Sequence, residues 1–236
     1  MIETDTQEDE HKLPMQGILQ PTHDEVLNLP NVHISTHPVI THKVTKLRDK
    51  HTQPQEFYRL VKEIGTLLAY EATLSLTLKP CAIETPLVET QGYNLVSHIG
   101  IVPILRAGLG LAEGFRKVLT DAQIWHLGMY RDEHTLQTLE YYNRLPHQTN
   151  LQICYAVDPM LATGGSAINA IKILKRHGVP SLSYVGILAA PYGLLKLAQA
   201  HPDITIYLAA LDEKLNDIGY IVPGLGDAGD RQFGTL

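Results

Sequence analysis

The feature that most constrains the fold is a repeated switch between strand-like and helix-like hydrophobic patterns from residue 54 to residue 210. Short continuous apolar runs are typical of strands buried on both faces of a parallel sheet, and apolar spacings of three and four are typical of amphipathic helices. The pattern predicts helices over 54–73, 109–119, 165–177 and 192–200. It predicts strands over 99–105, 124–129, 151–157, 182–189 and 204–210. This alternation predicts an α/β fold with a Rossmann-like, mostly parallel sheet and helices on both faces.

Three segments interrupt the alternation. Residues 79–93 contain Pro80, Pro86 and Gly92 and are expected to form an irregular arm or a short hairpin. Residues 130–148 are polar and rich in tyrosine, which predicts a mobile loop that acts as a lid. Residues 212–236 are glycine-rich and show no period. We name this last segment the C-terminal hood.

The acidic charge is confined to the amino-terminal end. Residues 1–30 hold seven of the 25 acidic residues and one of the 19 basic residues, which accounts for the net charge of −6. These residues are predicted to form a mobile extension, with an arm that packs on a partner subunit as the alternative. Residues 31–236 are predicted to form a single domain. Its balanced charge argues against nucleic-acid binding, which needs a basic face.

Composition excludes several other classes of protein. The chain is 44% hydrophobic, which is sufficient for a core, but its apolar runs are far shorter than a membrane span. The amino terminus lacks the apolar segment of a secretory signal. The two cysteines, Cys81 and Cys154, do not have the spacing of a metal site or the density of a disulfide scaffold. We therefore expect a cytoplasmic protein that does not bind membranes.

The turn after the strand at 151–157 has the strongest chemical signature. Asp158 follows the strand directly, and Thr163, Gly164, Gly165 and Ser166 form a tight turn that opens a helix. Free backbone N–H groups, the positive helix end and two hydroxyls would converge there, an arrangement that suits a phosphate monoester. Asp158 is placed to hold ribose hydroxyls or Mg²⁺. The alternative is a structural turn with a Thr or Ser helix cap. We name residues 158–166 the phosphate turn.

Four segments together resemble the uracil phosphoribosyltransferase family of type I phosphoribosyltransferases. They are DPMLATGGS at 158–166, VPILRAGLG at 102–110, GMYR at 128–131 and GYIVPGLGDAGDRQFGT at 219–235. The resemblance begins near His37, extends to the carboxyl terminus and leaves out residues 1–30. It implies the type I phosphoribosyltransferase fold and the conversion of uracil and 5-phospho-α-D-ribose 1-diphosphate (PRPP) to UMP and diphosphate.

The resemblance also implies roles for individual residues. The phosphate turn would hold the 5-phosphate, and Asp158 the ribose hydroxyls. Arg106 and Arg131 would bind the diphosphate, since planar guanidinium groups suit a leaving group with several anionic oxygens. Arg106, Asp158 and Asp227 are expected to be catalytic. The residues expected to contact PRPP are Arg106, Arg131, Asp158, Pro159, Met160, Leu161, Ala162, Thr163, Gly164, Gly165, Ser166 and Asp227. Many type I members have a second acid where this chain has Pro159, which leaves Asp158 as the only carboxylate of the turn.

The hood is expected to bind uracil through its backbone. A bent, glycine-rich chain offers N–H and C=O groups that can match O2, N3–H and O4 of uracil, whereas the amino group of cytosine would lack an acceptor. The resemblance places these contacts at Ile221, Gly226, Asp227 and Ala228. The alternative is a flexible glycine-rich tail.

Cofactors and partners follow from the resemblance. Mg²⁺ is expected to arrive with PRPP, without a direct side-chain ligand. A GTP effector and a homo-oligomer of two or more chains are common among bacterial members, but neither follows from these residues. His33, His37 and His42 lie in a segment without a helix pattern, and no zinc site is expected there. The competing functions are a phosphoribosyltransferase for another base and a regulator that binds RNA.

Overall fold

The computed structural model describes residues 15–131, 138–146 and 149–235. The helices are α1 (His23–Leu27), α2 (Pro38–Arg48), α3 (Pro54–Ala72), α4 (Leu109–Val118), α5 (Gly165–Arg176), α6 (Pro191–Ala200) and α7 (Ala228–Phe233). The strands are β1 (Val32–Ile34), β2 (Leu78–Glu84), β3 (Glu89–Leu95), β4 (Ile99–Leu105), β5 (Gln123–Ile124), β6 (Leu127–Arg131), β7 (Thr138–Asn143), β8 (Ile153–Val157), β9 (Met160–Leu161), β10 (Ser181–Ala189), β11 (Thr205–Leu211), β12 (Lys214–Leu215) and β13 (Ile221–Val222).

In the described residues, nine strands form the main sheet, whose path is β1-β11-β10-β8-β4-β6-β7. All pairings in it are parallel except that of β6 with β7. Neighbouring residues alternate between two cores, because successive side chains of a strand point to opposite faces. Ile101 packs with α2, α3 and α4, and Val102 packs with α5 and α6. The predicted α/β architecture is confirmed.

Most predicted elements are present, with local differences. Residues 79–93 belong to the antiparallel hairpin of β2 and β3, so the hairpin prediction is confirmed. The strand predicted over 124–129 is divided between β5 and β6, which both pair with β4. The loop predicted over 130–148 contains β7, which pairs with β6 because its threonine and tyrosines suit a strand. Residues 132–137 and 147–148 of that loop lie outside the described residues.

Part of the segment that holds His33, His37 and His42 is a helix, contrary to prediction: His33 lies in β1, His37 caps α2 and His42 lies within α2. Ile40, Val44 and Leu47 are buried and recur at helical spacing along α2. Pro38 occupies the first turn, and Nδ1 of His37 accepts a hydrogen bond from the backbone N–H of Val39 at 3.1 Å. The threonines and histidines between the apolar positions have weak helix propensity, which obscured the pattern.

The prediction of a mobile extension is wrong for residues 15–30. Met15 and Val26 are buried, and α1 lies against α6. The side-chain amide of Gln20 donates to the backbone carbonyl of Leu215 and accepts from its N–H, each at 2.7 Å. These residues therefore support the beginning of the hood at β12. Residues 1–14 lie outside the described residues, and for them the prediction stays open.

Deletion of residues 1–30 should destabilise the protein. Burial of a side chain the size of Val26 contributes about 1.5–3 kcal/mol, so the melting temperature should fall by roughly 5 °C or more. The measurement is thermal unfolding of this deletion beside a matched deletion of residues 1–14, which we expect to melt like the full chain. Equal melting temperatures for all three proteins would contradict the packing described for α1.

Candidate active site

Two turns meet at the carboxyl edge of the sheet. Because β4 and β8 are adjacent and parallel, the turn at 106–108 and the phosphate turn begin side by side. Gly108 makes the close approach possible, since a Cβ there would lie 2.4 Å from the backbone carbonyl oxygen of Val157. We name residues 106–108 the arginine turn. The closeness of the turns that carry Arg106 and Asp158 is thus a consequence of strand order.

The phosphate turn is held by backbone hydrogen bonds to β10 and to Ala190, the residue between β10 and α6. The carbonyl of Pro159 accepts from the N–H groups of Ile187 and Leu188 at 3.0 and 2.9 Å, and that of Leu161 accepts from the N–H of Ala190 at 3.0 Å. Gly164 has a φ of +84°, a left-handed conformation that favours glycine. A cavity of about 140 Å³ is lined by Asp158 and residues 160–167. This cavity faces the start of α5, where free N–H groups and the helix dipole favour an anion.

Two residues that support the phosphate turn were missed by the sequence analysis. A Cβ on Gly193 would lie 2.1 Å from the carbonyl oxygen of Ala162, so the first turn of α6 packs directly against the phosphate turn. The hydroxyl of the buried Tyr184 donates to the backbone carbonyl of Asp158 at 3.1 Å. Neither residue belongs to a local motif, because each contacts the turn from a distant part of the chain.

The surroundings of Asp158 disfavour the charged form of its carboxyl group. Burial raises the pKa of Asp158 from its ordinary value of 3.8 to about 7, and the negative charge of Asp227 adds to the increase. The backbone N–H of Met160, 3.5 Å from Oδ1, opposes the shift. Asp227, predicted to act on the same substrate, therefore lies close enough for its charge to act on Asp158.

Arg106 lies at the opening of the site. Its side chain is half exposed, and Nη2 donates to Oδ1 of Asp230 at 2.9 Å. The peptide bond between Leu105 and Arg106 is cis. Arg131, the other predicted diphosphate ligand, ends β6, and its side chain lies outside the described part of the structure.

The hood is an ordered structure. Arg48 pairs with the buried carboxylate of Asp212 through both guanidinium nitrogens, and Nη1 also donates to the carbonyl of Gly224 at 2.8 Å. Asp212 in turn accepts from the N–H of Gly224 at 2.8 Å.

Arg231 forms a second set of contacts, since it donates to the carbonyls of Leu47, Asp49 and Leu225 at 2.6–2.7 Å. These charge-assisted bonds bind the hood to α2, which excludes the alternative of a flexible tail.

The residues predicted to bind uracil fall into two groups. Ile221 and Ala228 have buried side chains in the core, so only their backbone groups can meet a ligand. Gly226 is exposed, has a φ of +79°, and has only Arg231 Cδ, at 3.5 Å, near the position of a Cβ. Asp227 caps α7 by accepting from the N–H of Asp230 at 2.9 Å. Gly226 and Asp227 are exposed, and the charge of Asp227 acts on Asp158. Backbone contacts of the hood to uracil stay a prediction.

The carboxylates at the site bear on whether it could hold Mg²⁺. The described residues contain no group of three or more histidine, cysteine, aspartate or glutamate side chains that could hold a metal ion. The carboxylates of Asp158 and Asp227 are oxygen ligands of the kind Mg²⁺ prefers, which fits an ion bound mainly by the substrate.

No helix among the described residues is long and apolar enough to cross a membrane.

Comparisons with known proteins agree with this geometry. A family model described as uracil phosphoribosyltransferase matches residues 34–235. The chain belongs to the uracil phosphoribosyltransferase family. It is 52% identical over 207 residues to the uracil phosphoribosyltransferase of Roseiflexus castenholzii, which covers 88% of this chain and 100% of that protein. It is 53% identical over 208 residues to that of Finegoldia magna, with the same coverage.

Solved structures confirm the predicted type I phosphoribosyltransferase fold. The AQ2163 protein from Aquifex aeolicus is 37% identical and superposes with a TM-score of 0.82, covering 86% of this chain and 97% of that chain. Adenine phosphoribosyl transferase from Trypanosoma brucei is 13% identical, with a TM-score of 0.51, and covers 79% of this chain and 86% of that chain. The second likeness shows a shared fold alone.

Asp158→Asn should separate stability from activity. Because the pKa of Asp158 is raised on folding, the folded protein binds this proton more tightly than the unfolded chain does. The stability that the bound proton contributes is therefore lost as pH rises from about 4 to about 7. The variant carries no charge at this position, so its melting temperature should rise relative to that of the wild type when the pH is changed from about 5 to about 8. Its kcat/KM should fall at least ~10²-fold in this family's reaction. Thermal melts at both pH values and a UMP assay check this, and unchanged activity would show that the turn is only a structural cap.

Gly193→Ala should impair the phosphate turn from behind. The new methyl group must displace the Ala162 carbonyl, and a misplacement of about 1 Å in a binding group can cost on the order of 10²-fold in rate. KM for PRPP and kcat are measured beside Gly178→Ala, a control at a glycine where an added Cβ would have no atom within 4 Å. Equal PRPP kinetics in the two variants would contradict the proposed support.

Proposed function

We propose that this protein catalyses the transfer of the 5-phosphoribosyl group of PRPP to N1 of uracil, giving UMP and diphosphate. The observation that carries this proposal is the convergence of the phosphate turn, the arginine turn and the hood at one edge of the sheet. Each offers the chemistry that one part of the two substrates requires. Family membership supports the same reaction.

The ribose 5-phosphate part of PRPP fits the phosphate turn. Backbone N–H groups of residues 163–166 and the hydroxyls of Thr163 and Ser166 would hold the phosphate in the cavity at the start of α5. Asp158 would accept hydrogen bonds from the ribose hydroxyls. Those bonds favour the ionised carboxylate and so oppose the rise in its pKa caused by burial.

Stabilisation of the leaving diphosphate is assigned to Arg106 and Arg131. Breaking the bond at the anomeric carbon leaves positive charge on the ribose ring and increases negative charge on the diphosphate. Guanidinium groups fixed in advance stabilise that charge without reorganisation during the reaction. Mg²⁺ bound to PRPP would neutralise part of the diphosphate charge, with Asp158 and Asp227 as nearby carboxylates.

Uracil is placed against the exposed backbone of the hood. Ile221, Gly226, Asp227 and Ala228 offer N–H and C=O groups whose positions depend on the Arg48–Asp212 network. Cytosine would leave a donor unmatched, and a site built to hydrogen-bond discriminates strongly against such an analogue.

The remaining partners are also proposals. The hairpin of β2 and β3 exposes Leu87, Val88 and Tyr93, which supports a homo-oligomer that covers this apolar surface. Light scattering of the purified protein would give the number of chains. A GTP effector rests on the family resemblance, and a cytoplasmic location rests on the composition of the chain. No nucleic-acid partner is proposed, because the body of the chain is neutral.

Gly226→Val should abolish uracil use and spare PRPP binding. A Cβ and its methyl groups would project into the space assigned to the base, at a residue whose left-handed φ already disfavours a side chain. We expect a loss of at least about 10²-fold in kcat/KM for uracil. The assay follows UMP from uracil, PRPP and Mg²⁺, with calorimetry for PRPP alone.

The control is Gly178→Val, the same change at another left-handed glycine in open space at the far end of α5. Cytosine, orotate and purine bases are tested with the wild type, and removal of Mg²⁺ should stop turnover. Efficient use of another base in place of uracil would refute the proposed function. Normal uracil kinetics in Gly226→Val would instead refute only the placement of the base.

A further inference from the structure

Helix α7 contacts the arginine turn at the side chain of Arg106 and at the backbone of Ala107. Oδ1 of Asp230 accepts from Nη2 of Arg106 at 2.9 Å. The side-chain Nε2 of Gln232 donates to the carbonyl of Ala107 at 2.9 Å and to the carbonyl of Ala228 at 3.0 Å. Two residues of one short helix therefore hold two consecutive residues of the turn, which lie more than a hundred positions earlier in the chain.

The geometry of Gln232 indicates a positioning role for this side chain. Gln232 is only 4% exposed, and its Oε1 is buried with no hydrogen-bond partner among the described residues. The two carbonyl acceptors determine the orientation of the amide, so a flipped side chain would bring three oxygens together. A buried polar atom without a partner is costly, and an apolar side chain of this size would avoid that cost. What the glutamine provides in exchange is the bond to Ala107.

Asp230 is itself held in place. Its N–H donates to Oδ1 of Asp227 at 2.9 Å, and the hydroxyl of Thr235 donates to its Oδ1 at 2.6 Å. The guanidinium of Arg106 also lies 5.9 Å from the ring centre of Phe233, within the range of a cation–π contact. Arg106 donates one N–H to Asp230, and its side chain is 53% exposed, which leaves its other donors accessible to a ligand.

We propose that Asp230 and Gln232 are positioning residues that hold Arg106 and its turn ready for the diphosphate of PRPP. The inference rests on the proposed role of Arg106 as a diphosphate ligand. Asp230 restricts the guanidinium, and Gln232 restricts the backbone that carries it. Because α7 begins directly after Asp227, the same helix joins the arginine turn to the part of the hood assigned to uracil.

The experiment measures inhibition by inorganic diphosphate, KM for PRPP, KM for uracil and kcat in Asp230→Asn and Gln232→Met. Both changes preserve side-chain size. Asp230→Asn removes the negative charge that faces Arg106, and Gln232→Met removes both hydrogen bonds of the side-chain amide, including the one to Ala107. We expect KM for PRPP and the inhibition constant of diphosphate to rise between about 10-fold and about 10²-fold, with a much smaller change in KM for uracil. The control is Asp203→Asn, which removes a surface carboxylate that pairs with Lys175 at 2.6 Å. It should leave all four constants unchanged.

A double-mutant cycle with Arg106→Ala distinguishes positioning from a general structural role. If Asp230 acts through Arg106, Asp230→Asn should add little to the loss already caused by Arg106→Ala. Additive losses, or unchanged diphosphate inhibition in both α7 variants at unchanged melting temperature, would overturn the inference. Unchanged diphosphate inhibition in Arg106→Ala itself would overturn the assignment of Arg106 and with it this inference, while leaving uracil turnover by the wild type as separate evidence for the reaction.

Discussion

Close backbone contact between turns is the constraint on which the rest of this structure depends. Gly108 lies against the carbonyl of Val157, and Gly193 lies against that of Ala162, at distances that no side chain would permit. These contacts place the arginine turn, the phosphate turn and the start of α6 at one edge of the sheet. The cavity at the start of α5 follows from them, because it is lined almost wholly by the turn they support.

Two groups of charges in the structure differ in how they are satisfied. Burial and the nearby Asp227 raise the pKa of Asp158, so the ionised form of its carboxyl is disfavoured. Arg48 and Asp212 are different, since they pair with each other and together hold the backbone of Gly224. The Arg48–Asp212 pair thus gives shape to the hood, whereas Asp158 has no cationic partner among the described residues.

Much of the fold could be predicted because its signals are local. The helix at α3 and the strands at β4, β8 and β10 each carry a complete period in one stretch of chain. The prediction was wrong for α2, where polar residues of weak helix propensity separate the buried positions. It was also wrong for residues 15–30, because their few apolar side chains gain their partners only from α6 and the core of the domain.

The sequence by itself determined the motif of the phosphate turn, the family and the identity of the charged residues, since each motif lies within one short segment of the chain. Tertiary structure alone decided which of these residues meet. The pairing of Arg106 with Asp230, the influence of Asp227 on Asp158 and the support from Gly193 all join distant segments. Such contacts depend on strand order and on the packing of helices against the sheet, which no local pattern of residues encodes.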